Sequence, residues 1–366
     1  MRLRLRGAVA TLAILVIASC ATAPGASTGE TSPADDTPLS QLRVLDDPRS
    51  FEGPSTARLV DREIEPVDDD PEQTLPVTVV SHDRAGDVEV VVDDTSRVIA
   101  LDLAGSIAAT VWGLGLGESL VGRDGSTTFP GADDLPVVTE DGHSINAEAV
   151  LALDPTVVIT DGSVGPRDVL EQLRSAGVTV VFLDKTSSFA GASAMARHVA
   201  AALGVPAAGE ALAERIDTDV TTTRSEIASL APEGDGRLRM VFLYLRGSAG
   251  VYYIFGRESG ASDLIEGLGG VDVASELGWN DLQPLTDEAI VAADPDLILV
   301  MTGGIESTGG VDGLIEDRPA IALTGAGERR RFVDMADGDV LSFGPRSAEV
   351  LAALARAVYA PQEAAP

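Results

Sequence analysis

A sixteen-residue pattern occurs twice in this chain, and it limits the fold more than any other feature. The first copy is I-N-A-E-A-V-L-A-L-D-P-T-V-V-I-T, residues 145–160, and the second is L-T-D-E-A-I-V-A-A-D-P-D-L-I-L-V, residues 285–300. Glu148 and Glu288, Ala149 and Ala289, Ala152 and Ala292, Asp154 and Asp294, and Pro155 and Pro295 match in one register. In each copy Asn146 or Thr286 suits a helix N-cap, and the glutamate in the first turn complements the helix dipole. Asp-Pro then ends the helix. A β-branched and aliphatic run follows and predicts a buried parallel strand. Repetition at this spacing predicts two structurally similar lobes.

The rest of the chain divides around these copies. Residues 1–20 carry Arg2, Arg4 and Arg6, then an eleven-residue apolar stretch ending in I-A-S-C. This reads as a lipoprotein signal peptide, with Cys20 as the lipidated residue of the mature chain. Cys20 is the single cysteine, so no intramolecular disulfide can form. Residues 21–75 are rich in Pro, Ser, Thr and acids, and predict a disordered acidic tether. Strands alternating with helices over 76–204 predict an N-terminal α/β lobe. Within it, Val77–Ser81 and Val88–Val92 predict a hairpin with His82 in its turn. A helical stretch over 205–232 with Pro206 at its start predicts a long rigid connector, and 233–362 predict a C-terminal α/β lobe. The fold class is α/β: two Rossmann-like lobes with parallel sheets, joined by a long connector helix.

Composition excludes several functions. A net charge of −32 argues against nucleic acid. It also means that an anionic ligand must be attracted locally, because the field of the whole chain repels it. The glycines of G-L-G-L-G, residues 113–117, follow a helix instead of opening one, unlike a dinucleotide loop. There is no G-x-S-x-G, H-E-x-x-H, Walker loop or nucleophilic cysteine, so the sequence does not read as an enzyme. Three scattered histidines do not suit a zinc or manganese carrier. His82 and His198 have no motif around them. His143, just before the first copy in T-E-D-G-H-S-I-N, is the strongest site candidate.

Three stretches carry a family resemblance: G-H-S-I-N-A-E-A-V-L-A-L-D-P-T from Gly142, F-L-Y-L-R-G from Phe242, and G-A-S-D-L-I-E-G-L-G-G-V-D from Gly260. With the two-lobed plan they resemble the substrate-binding proteins of iron-siderophore, vitamin B12 and haem ABC importers. Among these they are most similar to the haemin-binding lipoproteins of actinobacterial haem uptake, the HmuT type. The resemblance implies a class III periplasmic-binding-protein-like fold with the ligand in the interlobe cleft. It implies haem b as transported cargo, an ABC permease and its ATPase subunit as partners, and haem-donating surface proteins upstream. It further implies a monomer held on the extracytoplasmic face of the cell membrane by the Cys20 lipid. A ferric-siderophore or corrinoid binder on the same fold is the alternative.

The site chemistry can also be argued from the residues. Ligands of open α/β sheets sit beyond the carboxyl ends of the strands. Tyr244 is near such an end, and Arg246, two residues on, shares its face. Ferric iron and a guanidinium both favour a phenolate, and phenolate and imidazole are both haem-iron ligands. The resemblance assigns the same roles: His143 and Tyr244 as axial ligands from opposite lobes, and Arg246 bonded to the tyrosine oxygen. Met301, ending the second-copy strand, can face the pocket or the core. Tyr252, Tyr253 and Phe255 are candidate porphyrin walls. Trp279, which precedes the second copy as His143 precedes the first, is another, and Arg257 is a candidate propionate partner.

Overall fold

The computed structural model describes residues 35–83, 86–140, 144–184 and 187–362. Cys20, His143 and the signal segment lie outside them, as does the tether before residue 35. Both repeat copies form the predicted units. Asn146 accepts the Ala149 N–H at 2.9 Å and opens the helix Ala147–Ala152. Thr286 accepts the Ala289 N–H at 3.1 Å and opens Asp287–Ala293. Past each helix an aspartate adopts left-handed backbone, Asp154 at φ 46° and Asp294 at φ 39°. Asp tolerates that region better than most L-residues, and the proline after it forbids another helical turn. The chain then enters the buried strands Val157–Thr160 and Leu297–Met301.

Those strands lie inside two separate sheets. The N-terminal sheet has four parallel strands in the order Leu120–Arg123, Val98–Leu101, Val157–Thr160, Thr179–Phe182. In the C-terminal sheet, Arg239–Arg246, Leu297–Met301 and Phe332–Met335 run parallel. Val251–Ile254 and Gln283–Pro284 add an antiparallel edge, so this sheet is mixed. The predicted hairpin is present as Val77–Asp83 against Gly86–Val92, and it is longer than expected. His82 is therefore a strand residue, paired with Asp87, and not part of the turn.

The connector is the 23-residue helix Pro206–Ala228, with Pro206 in its first turn. At 1.5 Å per residue it is about 34 Å long. Its buried face, including Leu212, Ile216, Val220 and Ile227, joins the large core shared with Phe189–Ala202 and Ser347–Tyr359. Gly209 permits the close approach to Phe189–Ala202, because a Cβ there would come within 2.4 Å of the Ala200 Cβ.

The acidic tether expected through residue 75 is corrected over 35–75, where the chain is folded against both lobes. Ser55–Ala57 joins the C-terminal sheet as a parallel edge strand beside Phe332–Met335. Further on, the Val67 N–H bonds to Gly113 O and the Thr74 N–H to Gly204 O, both in the N-terminal lobe. Leu39, Ala57, Leu59 and Ile64 are buried. Arg331, also buried, fixes the segment by bonding Ser55 Oγ, Ala357 O and Val358 O beneath the Phe51 ring. Main-chain bonding and a few well-spaced aliphatic residues hold this strap, which is why composition alone suggested disorder.

Candidate ligand cleft

A cavity of about 1030 Å³ lies between the carboxyl ends of the two sheets and draws its lining from both lobes. On the C-terminal side, Tyr244 and Arg246 reach it from the strand Arg239–Arg246. Their placement follows from the period of two. Val241, Leu243 and Leu245 point into the small outer core of that lobe, whereas Phe242 and Tyr244 face the interlobe side. The Tyr244 ring is half-buried and packs against Phe255 with centroids 5.8 Å apart, and Phe255 packs on Phe242 at 5.2 Å. The Arg246 guanidinium lies over the Tyr244 ring, 4.9 Å from its centroid. It bonds Leu245 O at 3.3 Å and pairs with Asp337 at 3.5 Å. In this conformation it therefore supports the ring face, where the resemblance had implied a bond to the phenol oxygen. Met301 reaches the cavity and is otherwise buried.

The N-terminal side is acidic and heavily bonded. Asp102, directly after the strand Val98–Leu101, accepts the N–H groups of Ala104, Ser106 and Ile107 and so starts the helix Ser106–Gly113. Asp124 accepts the Asp102 N–H at 3.0 Å as well as those of Ser126 and Thr127. Burial raises both carboxyls above their ordinary value. Asp102 is pushed up to about 8, with Asp124 and Asp161 adding to the rise and the Ile107 and Ser106 N–H groups opposing it. Asp161 and Ser163 line the same wall.

Two expected wall residues, Tyr252 and Trp279, and the expected propionate partner Arg257 are placed elsewhere. Tyr252 pairs with Leu245 and so faces the outer core, where its hydroxyl donates to Asp317 at 2.9 Å under Arg318. Burial, then the bond to Asp317, raises its phenol. Trp279 packs against that same outer core, although its neighbours Asn280, Asp281 and Leu282 do line the cavity. Arg257 is exposed, donates its main-chain N–H to Trp279 O and does not line the cavity, although Glu258 and Ser259 beside it do. Sequence reasoning also missed lining residues such as Arg62 from the strap, Phe343 and Leu282. Only Leu282 carried a signal, since it lies just before the second repeat copy. His143 is outside the described residues, but the strands flanking it, Thr139–Glu140 and Ser144–Ile145, pair antiparallel. Thr139 Oγ1 accepts the N–H of Gly125, a cavity-lining residue.

Comparison with known proteins now adds to this geometry. A family model for periplasmic binding proteins matches residues 99–337. The chain belongs to that family. The solved structure of a haem-binding protein, HmuT, is 44% identical and superposes with a TM-score of 0.80, covering 86% of this chain and 99% of that one. Among curated relatives, an uncharacterised ABC transporter substrate-binding lipoprotein of Bacillus subtilis is 24% identical over 291 residues, 78% of this chain and 87% of that protein. A cobalamin-binding protein of Halobacterium salinarum is 27% identical over 284 residues, 76% of this chain and 74% of that protein. These relatives are binding proteins, in line with the reading that this family member is no enzyme. The α/β class and two-lobed plan read from the repeat are those of the family.

Proposed function

We propose that this chain is the haem-binding receptor of an ABC importer: it captures haem b between its lobes and presents it to a membrane permease driven by an ATPase subunit. The carrying observation is that Tyr244, with Arg246 over its ring, opens into an interlobe cavity that has an aromatic wall at Phe255 and a soft thioether at Met301. A phenolate is a hard anionic donor suited to ferric haem iron. Leu103 and Leu282, 41% and 47% exposed, are large apolar residues on opposite lobes of the cavity, where an apolar macrocycle would cover them. His143 is the proposed second ligand, from the N-terminal lobe. Cys20 is the proposed lipid attachment, which places a monomeric receptor on the extracytoplasmic face of the cell membrane. Haem-donating surface proteins are proposed suppliers.

The corrinoid reading is favoured by the cobalamin-binding relative. It gives no role to a phenol and guanidinium pair aimed at the cavity. Titration with haemin and, separately, with cyanocobalamin decides between the two. The haem reading expects saturable one-to-one haemin binding with a shifted Soret band and little response to cobalamin. Tight cobalamin binding with no haemin complex would overturn it.

A further inference from the structure

The chain carries 58 acidic side chains against 26 Lys and Arg, and the cleft repeats that imbalance. Asp161, Asp184, Glu258, Asp281 and Asp337 all line the cavity. Haem brings two propionate carboxylates into this setting, so some local cation must receive them. Among the described residues only Arg62 and Arg246 line the cavity as cations. Arg246 is already engaged by the Tyr244 ring and by Asp337.

Arg62 is placed differently. It comes from the strap, outside the 99–337 family match, and reaches the floor where the lobes meet. Its Nη2 donates to Thr128 O at 2.7 Å in the N-terminal lobe. Its Nε lies 3.5 Å from Asp339 of the C-terminal lobe without making a hydrogen bond. Asp339 is shared, because the buried Arg346 approaches its other oxygen at 3.1 Å. Arg346 also feels the nearby Glu349, whereas among the described residues Arg62 pairs with no carboxylate other than the shared Asp339. Arg62 thus shares its carboxylate with a second guanidinium, and its side chain, 41% exposed, faces the cavity. Its Nη1 makes no hydrogen bond among the described residues. A planar guanidinium with one edge fixed and another free suits a carboxylate.

We propose that Arg62 receives a propionate carboxylate of the ligand, so that the strap is part of the binding site and selects an acidic tetrapyrrole over a neutral amide-bearing one. This rests on the haem reading above. The test titrates wild type, Arg62→Ala and Arg62→Gln with haemin and with haemin dimethyl ester, whose carboxylates are masked. Thermal unfolding is recorded for each protein. Gln keeps an amide donor for Thr128 O but carries no charge, so it remains informative if the alanine variant is unstable. A charge-assisted bond at a partly exposed site predicts that Arg62→Gln weakens haemin about tenfold and leaves the ester unchanged. Wild type should likewise prefer haemin to its ester by about tenfold or more. Equal loss for both ligands in Arg62→Gln, or no loss for either, overturns the proposal while the haem reading stands. Wild type that fails to bind haemin overturns both.

Discussion

The two lobes repeat one backbone plan and differ in what their strand ends offer the cavity. In the N-terminal lobe, Asp102, Asp124 and Asp161 each directly follow a strand of the sheet, and Asp184 follows Phe182 by two residues. Asp102 and Asp124 are buried and saturated with main-chain N–H bonds. They fix loops and a helix start. In the C-terminal lobe the corresponding ends offer Tyr244, Met301 and Arg246 to the cavity, with Arg246 paired to Asp337. A shared fold therefore sets where side chains can meet a ligand, while the residues at each strand end decide whether that position holds the scaffold or binds.

The comparison yields predictions of decreasing size. The largest concerns the acidic lobe. Folded, the Asp102 carboxyl is held up at about 8; its ordinary value is 3.8. Between those values the native state keeps a proton that the unfolded chain has released. Stability should therefore fall as pH rises from about 4 to 8, by up to about 1.4 kcal/mol per pH unit for one proton. Below that window both states hold the proton, and above it neither does. Urea unfolding of wild type and Asp102→Asn at several pH values checks this. The variant lacks one acceptor and starts less stable, but the wild type should lose ground to it steadily towards pH 8. Parallel curves would mean that Asp102 does not titrate in this window.

A smaller effect separates two tyrosines of the other lobe. Tyr252→Phe removes only the hydrogen bond to Asp317. It should lower stability by about 1 kcal/mol and leave haemin affinity unchanged. A clear loss of affinity would place Tyr252 at the ligand after all and blur the division between the cavity face and the outer core.

The same tyrosines show what could be read in the sequence. The repeat predicted both lobes, the Asp-Pro boundaries and the strands at the sheet centres, because caps, prolines and apolar runs are local signals. The connector helix was legible for the same reason. Tyr244 and Arg246 could be paired because they share one strand and one face. Tyr252 could not be placed, since it lies across a turn, and the pairing Leu245↔Tyr252 turns it away from the ligand side. Trp279 shows the limit of analogy between repeat copies: its position before the second copy is equivalent, but its ring packs into the outer core. The strap was missed because its order comes from distant partners such as Phe332–Met335 and Arg331, which short-range pattern cannot register.

The central claim is that the C-terminal lobe supplies the iron ligand through Tyr244. Resonance Raman spectra of the haemin complex, excited in the phenolate-to-iron charge-transfer region, test it most directly. The wild type and Tyr252→Phe should show the ring modes of an iron-bound tyrosinate. Tyr244→Phe should lack them and bind haemin more weakly than the roughly 10–100-fold loss typical of removing an outer-shell partner. Tyrosinate modes that persist in Tyr244→Phe, or that are absent from the wild-type complex, would contradict the account.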